Sequence, residues 1–469
     1  MSPEEFRRHG HELIDRIADY RAGIAARPVM SQVTSGAIKA ALPKSAPARP
    51  EPFEAIFADL DALILPGLSH FNHPAFFGYF PANSELSSVL GDYLSTGLGA
   101  LGLTWQAAPA LTELEEVVAD WMRQLVGLPE TFSGVIQDTA STSTLVALIS
   151  ARERATDFSM AGGGMAALER PLVVYGSAQA HSSVDKAALL AGFGRDNIRH
   201  IATDEANALR PEALEAAIQA DLAAGRQPAV IAANVGTTGV TAVDPIRAVA
   251  EIARKYGLWL HVDAAMAGSA MILPECRELW EGIEGADSLV FNPHKWLGAA
   301  FDCSLYYVRD PQHLQRVMGT NPSFLRGAGD EATTYRDWGI PLGRRFRALK
   351  LWCLLRAEGV EALQARLRRD LANARWLAEA AASMPPWRVV APVALQTVCL
   401  RHEPPGLEGE ALDAHTRGWA ERINASGRAY VTPATHEGRW MVRVSVGALP
   451  TERADVEAFW ALARREAER

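Results

Sequence analysis

Four short apolar runs recur along the middle of the chain, Leu172 to Tyr175, Ala229 to Val235, Trp259 to Val262 and Ser288 to Phe291. Stretches of helical pattern separate them, among them Pro211 to Ala224 and Pro245 to Tyr256, the latter with Asp244 as its expected N-cap and Gly257 as its stop. Strands that are apolar throughout and alternate with helices belong to a mostly parallel sheet covered on both faces. Ligands of such sheets sit beyond the carboxyl ends of the strands. Residues able to do chemistry fall there: His181 after the first run, Thr238 after the second, Asp263 just past the third, and His294 with Lys295 after the fourth.

Lys295 stands in Phe291-Asn292-Pro293-His294-Lys295-Trp296-Leu297-Gly298. A lysine amine with a lowered pKa condenses with an aldehyde, and a nearby carboxylate keeps a pyridine nitrogen protonated so that the ring draws electrons. Lys295 and Asp263 suit those two roles. Upstream, Val135-Ile136 leads into Asp138-Thr139-Ala140-Ser141-Thr142-Ser143-Thr144, and Leu145 to Arg154 reads as helix. Small hydroxyl residues at a helix N-terminus suit a phosphate, and they serve equally as plain caps. His181, in Gln179-Ala180-His181-Ser182-Ser183, is either a ring that stacks on a planar ligand or an ordinary loop histidine.

Around this centre the pattern changes. Glu4 to Ala26 reads as an amphipathic helix whose stripe, Phe6, Leu13, Ile14, Ile17, Ala18 and Ile24, needs something to cover it, and a second subunit is the natural candidate. Prolines from Pro28 to Pro52 mark an extended connector. Phe71 to Pro81 is an aromatic cluster, read either as core or as the wall of an aromatic substrate pocket. Thr112-Glu113-Leu114-Glu115 matches a capping box, with Gly127 ending the helix that follows. Beyond Tyr307 comes a loop-rich stretch, Asn321 to Arg336, then a helical pattern from about Arg345 to Ser383 interrupted near Gly359, then a small α+β region from Pro386. These divide into an N-terminal segment 1–85, a large domain 86–360 and a small C-terminal domain 361–469.

A formal charge of −9 argues against a nucleic-acid partner, and 22% charged with 48% apolar residues is ordinary globular usage. Charges at Glu4, Glu5, Arg7 and Arg8 with no apolar segment behind them speak against a signal peptide, so a cytoplasmic protein is expected. Cys276, Cys303, Cys353 and Cys399 form no CxxC pair, which indicates neither a disulfide framework nor a metal site. Gly192-Phe193-Gly194 and Gly162-Gly163-Gly164 lack the full glycine spacing of a dinucleotide turn.

The chain resembles the group II pyridoxal-phosphate decarboxylases, most closely the aromatic L-amino-acid decarboxylases. The likeness is carried by Glu5-Phe6-Arg7-Arg8, Phe76-Phe77-Gly78-Tyr79-Phe80-Pro81, Gln179-Ala180-His181-Ser182-Ser183, His261-Val262-Asp263-Ala264-Ala265, Asn292-Pro293-His294-Lys295-Trp296 and Ile340-Pro341-Leu342-Gly343-Arg344-Arg345-Phe346-Arg347. It implies a fold-type I, aspartate-aminotransferase-like architecture with a seven-stranded sheet, assembled as a homodimer with interlocked N-terminal segments. It implies pyridoxal 5′-phosphate as cofactor, Lys295 as the Schiff-base lysine, Asp263 on the pyridinium nitrogen, and His181 and Ala265 on the two faces of the ring. Thr139, Ala140, Asn292 and His294 would hold the phosphate, with Thr238 near the ring. Phe71, Tyr79, Phe80, Pro81, Leu101, Leu103 and Gly343 would shape the pocket for an aromatic amino acid, Gly343 leaving room for a large ring. Arg443, in a strand, has the look of a carboxylate clamp but is read as a surface or structural charge, because a clamp would oppose departure of CO2.

The resemblance also exposes a departure. Where the family carries a loop tyrosine within Pro-x-Tyr-Leu that protonates the carbanion, this chain has Pro322-Ser323-Phe324-Leu325. A phenyl ring has no proton to give, so a general-acid contribution of around 10²–10⁴ is absent at this position. Decarboxylation to the arylalkylamine is the leading expectation, and an aromatic acetaldehyde synthase, using dioxygen, is the alternative that Phe324 raises.

Overall fold

The computed structural model describes residues 1–320 and 332–469, so Phe324, Gly327 and Gly329 lie outside the described residues. The chain divides into two compact units, one made of Met1–Pro81, Asn373–Val390 and Val398–Arg469, the other of Ala82–Ala372 and Ala391–Thr397. The first unit opens with α1 (Pro3–Ala22), closed at its N-terminus by a Ser2–Glu5 capping box. A separate short turn, Ile24–Ala26, completes the stretch that periodicity reads as a single helix. Of the α1 stripe, Phe6 and Ile14 stand exposed.

The second unit is built on a seven-stranded sheet ordered β1-β7-β6-β5-β4-β2-β3. Its strands are β1 (Ser133–Gln137), β2 (Leu172–Ser177), β3 (Ile198–Ile201), β4 (Gln227–Asn234), β5 (Trp259–Asp263), β6 (Ser288–Phe291) and β7 (Ser304–Val308). β2 to β6 are mutually parallel, and β7 runs antiparallel to both β6 and β1. β1 therefore points the same way as β2 to β6, and the carboxyl ends of six strands lie along one edge of the sheet. The four apolar runs are β2, β4, β5 and β6. β3 was not recognisable by apolar content, since Arg199 and His200 occupy half of it.

Helices α2 (Leu86–Gly97), α3 (Pro109–Leu125), α4 (Ala140–Ala155), α5 (Ser182–Leu190), α6 (Ile246–Tyr256), α7 (Arg347–Glu358) and α8 (Val360–Ala382) follow in chain order, the last running on past the end of this unit. α4 buries Val146 and Ala147 against Val135, Val290 and Tyr306, and Leu148 and Ala151 against Val174, Val230 and Trp259. Val146 and Leu148 each contribute roughly 1.5–3 kcal/mol on burial and the alanine methyls about 0.8 kcal/mol, so α4 is fixed firmly across the sheet.

Two expected caps are placed differently. α3 begins at Pro109 with Ala108 as N-cap, so Thr112 lies inside the helix with its hydroxyl on the Ala108 carbonyl, and Glu115 is fully buried. Proline at the first position starts the helix a turn early, and Glu115 serves the sheet instead. Asp244 does not cap α6; its carboxylate accepts from the amides of Leu209 (2.8 Å) and Asn234 (2.7 Å) and from Asn234 Nδ2 (3.1 Å). Gly257 does end α6, in the left-handed conformation at φ 68°.

The rest of the first unit holds a four-stranded sheet ordered β10-β11-β9-β8, from β8 (Trp387–Val389), β9 (Thr397–His402), β10 (Thr432–His436) and β11 (Arg439–Ser445). α9 (Gly409–Ala425) and α10 (Arg453–Ala467) pack with it. The aromatic cluster joins this sheet: Phe77 donates to the Tyr430 carbonyl, Tyr430 to that of Ala75, and Ser445 to that of Phe77.

Candidate active site

β6 delivers the chain into a turn, Pro293–Leu297, in which Lys295 leaves helical geometry (φ −95°, ψ −105°) and Gly298 closes the reversal at φ 98°. The turn is held from behind by α8. Arg366 donates to the carbonyls of Trp296 (2.9 Å) and Leu297 (2.7 Å), and one turn further on Asp370 accepts from the Trp296 indole at 2.9 Å. Turn carbonyls lack helical partners, so the guanidinium supplies what the backbone cannot. Burial pushes the Asp370 carboxyl up to about 6 against the opposing pull of Arg366 and the Trp296 hydrogen bond.

Asp263 ends β5, paired in register with Asn234 on one side and Val290 on the other, and its carboxylate accepts from the Ala265 amide at 2.9 Å. The Asn292 amide donates to the Ala265 carbonyl at 2.8 Å, so the segment after β5 and the lysine turn are tied together. Behind Asp263, His261 is fully buried between Ser288 Oγ (2.9 Å) and Thr144 Oγ1 (3.4 Å), linking β5 to α4. Burial depresses its pKa to about 4, which makes it a neutral strut.

Thr139 is the N-cap of α4, its side chain accepting from the Thr142 amide, and Asp138 receives the Thr139 amide at 2.6 Å. The amides of Ala140 and Ser141 precede the first intrahelical donor and point out of the helix start. His181 caps α5 through Nδ1, 2.7 Å from Ser183 Oγ. Thr238 lies in a tight turn in which Gly236 and Thr237 both donate to the Ala242 carbonyl. A Cβ at Gly239 would come 3.3 Å from Gln179 Oε1, so the loops after β2 and β4 approach one another. Thus Lys295, Asp263, Ala265, Asn292, His294, Thr238, His181, Thr139 and Ala140 all follow or end strands at one edge of the sheet.

His294 is buried. Its Nδ1 accepts from the Cys303 amide at 2.9 Å and its own amide donates to the Cys303 carbonyl at 3.3 Å. Burial, and after it the positive charge of Lys295, lowers its pKa to about 4. A neutral imidazole with Nδ1 engaged carries its proton on Nε2 and is a donor there. Asn292 is 2% exposed, and its Oδ1 has no hydrogen-bond partner among the described residues. A buried amide oxygen in that condition calls for a hydrogen-bond donor, and towards an anion it is the amide's Nδ2 that can donate. An anion donor set beside a helix start, a lysine amine and a strand-end carboxylate fits the phosphate, aldehyde and ring nitrogen of pyridoxal 5′-phosphate.

Leu101, Leu103 and Gly343 are brought together. Gly102 and Arg344 exchange backbone hydrogen bonds, and a Cβ at Gly343 would sit 3.3 Å from Leu101 Cδ1 and 3.9 Å from Leu103 Cδ2. Phe71, Tyr79, Phe80 and Pro81 belong to the other unit. There Phe76 and Phe77 are fully buried, which makes that half of the cluster core, while Tyr79 is half exposed, its ring 6.4 Å from Phe71 in a stacked arrangement. Arg443 is no surface charge: it is 3% exposed, lies over the Phe80 ring at 5.1 Å, and burial lowers its pKa.

Sequence reasoning passed over Arg366, Asp370 and Asp302. A signal existed for Asp370, which interrupts the buried stripe Leu363, Leu367, Leu371 and Ala374 of α8. A charge at the core spacing of a helix announces a buried partner.

Residues 36–403 match the pyridoxal-dependent decarboxylase conserved domain. A phenylacetaldehyde synthase of Arabidopsis thaliana is 42% identical over 100% of this chain and 96% of its own length. A tryptophan decarboxylase of Camptotheca acuminata is likewise 42% identical, over 100% and 95%. The crystal structure of a Catharanthus roseus tryptophan decarboxylase in complex with L-tryptophan superposes with a TM-score of 0.94 at 38% identity, over 100% of this chain and 99% of that one. The chain belongs to the pyridoxal-dependent decarboxylases, carboxy-lyases of fold type I that work with pyridoxal 5′-phosphate.

Proposed function

We propose that the protein decarboxylates aromatic L-amino acids to arylalkylamines and CO2. The observation that carries this reading is the meeting of Lys295 and Asp263, from adjoining strands, with the donor set of α4, Asn292 and His294 at one sheet edge. The tryptophan and tyrosine decarboxylases among its relatives, 42% and 40% identical, support the aromatic substrate class.

Bound pyridoxal 5′-phosphate supplies an aldehyde for amine exchange and an electron-withdrawing ring that accepts the pair left by CO2. Lys295 Nζ would hold that aldehyde at rest; freed by the substrate amine, its neutral amine would stay within the site to accept a proton and, once an ammonium, to give one. Asp263 keeps a proton on the ring nitrogen, its own carboxylate oriented by the Ala265 amide. His181 and Ala265 would confine the ring. Thr139, Ala140, Asn292 and His294 Nε2 would hold the phosphate, with Thr238 near the ring. Leu101, Leu103 and Gly343 would border the space for the aromatic side chain.

The test is to incubate the purified protein with L-tryptophan, L-phenylalanine and L-tyrosine and to quantify CO2, amine, aldehyde and peroxide. Release of CO2 with stoichiometric amine is expected. Absence of CO2 from all three sinks the proposal, as does cofactor absorbance near the visible edge that persists unchanged in Lys295→Ala.

A second reading follows from Phe324. Without a phenolic proton donor at this position, dioxygen and water would enter the reaction in place of simple protonation, turning amino acid, O2 and H2O into aldehyde, CO2, ammonia and hydrogen peroxide, and the Arabidopsis relative is named for such a product. Aldehyde and peroxide in equal amounts, replaced by amine in Phe324→Tyr, would decide for it.

The protein acts as a homodimer. Leu86, Leu90 and Leu94 form an exposed row on α2, continued by Leu98, and Phe6 and Ile14 are exposed on α1. Apolar rows of this kind are surfaces for a second subunit. A monomeric mass in sedimentation equilibrium excludes the dimer.

A further inference from the structure

We infer that Asp302 is a positioning residue for His294, fixing through the Cys303 backbone the direction in which the imidazole presents Nε2–H to the cofactor phosphate. The inference rests on the phosphate role proposed for His294.

Cys303 brackets His294 on both sides, its amide on Nδ1 and its carbonyl on the His294 amide. Where the Cys303 peptide sits therefore decides where the ring points. The preceding residue, Asp302, is the anchored one. Arg347 grips it with two parallel hydrogen bonds, Nε to Oδ1 at 3.1 Å and Nη2 to Oδ2 at 3.0 Å. A fork of this kind fixes orientation as well as distance. Lys350, fully buried, has its Nζ 3.8 Å from Asp302 Oδ1 and 3.0 Å from Asp92 Oδ1. Arg345 reaches Asp92 at 3.2 Å and Asp302 at 3.9 Å.

Two carboxylates and three cations thus bind α2, the start of α7 and the loop that follows the lysine turn into one unit. The packing there is tight: a Cβ at Gly91 would lie 2.7 Å from the Lys350 Cα. Burial favours a protonated Asp302, but Arg347 and Lys350 outweigh it and hold the group below the usual carboxylate range. The anchor is charged wherever the protein is folded at neutral pH, and the residue it steers, His294, is neutral.

This cluster reaches the phosphate site through Cys303 and His294, and Arg347 also acts electrostatically on Asp138, which accepts the Thr139 amide; each route ends on a group assigned to the phosphate, which gives the inference a selective signature. The full chain, stripped of cofactor, is titrated with pyridoxal 5′-phosphate and separately with pyridoxal, following protein fluorescence. Loss of one well-directed charge-assisted hydrogen bond predicts roughly tenfold weaker binding of the phosphate form. Asp302→Asn and Arg347→Lys should both show that loss for pyridoxal 5′-phosphate and less than a twofold change for pyridoxal. The lysine variant keeps the charge and the fold but cannot grip both oxygens. Wild-type affinity in Arg347→Lys, or equal weakening towards both compounds in both variants, overturns the inference. His294→Gln serves as the separate control. A selective loss there without one in Asp302→Asn and Arg347→Lys removes the positioning role alone, whereas no selective loss in His294→Gln removes the phosphate role and the inference with it.

Discussion

The indole nitrogen of Trp296, the residue after Lys295, donates to the carboxylate of Asp370 at 2.9 Å, and both groups are buried. The contact joins the lysine turn to α8 at the position where Arg366 also takes two turn carbonyls. Trp296→Phe leaves Asp370 without this donor and opens a cavity where the larger indole was buried. A buried acceptor deprived of its partner costs about 1–3 kcal/mol, so thermal unfolding should show a loss of at least that size. Because the lost bond also steadies the turn carrying Lys295, cofactor should leave the holoenzyme faster than from wild type during dialysis. An unchanged release rate alongside a lowered melting temperature would mean that the indole serves stability only.

Buried pairs elsewhere make larger differences. Arg344 holds Glu115 with two hydrogen bonds and the Ile136 carbonyl with a third (2.8 Å), while Glu115 accepts the Ile136 amide at 2.8 Å. Together they satisfy the amide and carbonyl of Ile136 on the outer edge of β1, which no further strand among the described residues covers. Removing one partner of such a pair leaves an uncompensated charge and costs about 3–5 kcal/mol. Arg344→Ala should therefore lose that much in denaturant titration, and Glu115→Gln, which leaves Arg344 charged and turns an amide donor towards another donor, a comparable amount. Equal and small effects from both would contradict the assignment.

The contrast between Glu115 and Lys295 shows where sequence is legible. The parallel sheet and the row of residues at its carboxyl edge were readable because each strand is buried on both faces, and a solidly apolar run has few alternative readings. Gly257 was readable as a stop because a left-handed residue closes α6. Glu115 and Asp244 were misread as capping elements because a short acidic residue near a helix start looks the same whether it binds its own helix or a strand folded beside it. Asp302 gave no signal, since its partners Arg347 and Lys350 lie more than forty residues away in the chain and only the fold brings them within reach.

Acid should destabilise the protein through its buried histidines. His261 and His294 have pKa values near 4 in the fold against about 6.5 in an unfolded chain. Lowered histidine pKa values mean that the unfolded state binds more protons between these limits, so their contribution is present above pH 6.5 and is lost as pH falls towards 4. Asp244 and Asp370, raised to about 6 by burial, act in the opposite sense, their contribution being lost as pH rises through 6. His294→Gln should flatten the acid limb of a stability profile by at most about 3 kcal/mol. A profile between pH 4 and 6.5 as steep as that of wild type would refute the neutral assignment of His294.

Gly343 sets the last expectation, one that concerns substrate. The hypothetical Cβ at this position stands 3.3 Å from Leu101 Cδ1, closer than side chains ordinarily approach, and Leu103 Cδ2 follows at 3.9 Å. Leu101 is exposed and has room to turn aside, so Gly343→Ser should fold with little loss of stability. The hydroxymethyl group then occupies space beside both leucines. If these three residues border the side-chain pocket, the largest ring suffers most, by roughly 1–3 kcal/mol for a group of methylene size. The ratio of kcat/KM for L-tryptophan to that for L-tyrosine should accordingly fall about tenfold or more in Gly343→Ser, with both substrates measured on the same preparation. A ratio that stays constant would place the pocket for the aromatic ring away from Leu101 and Gly343.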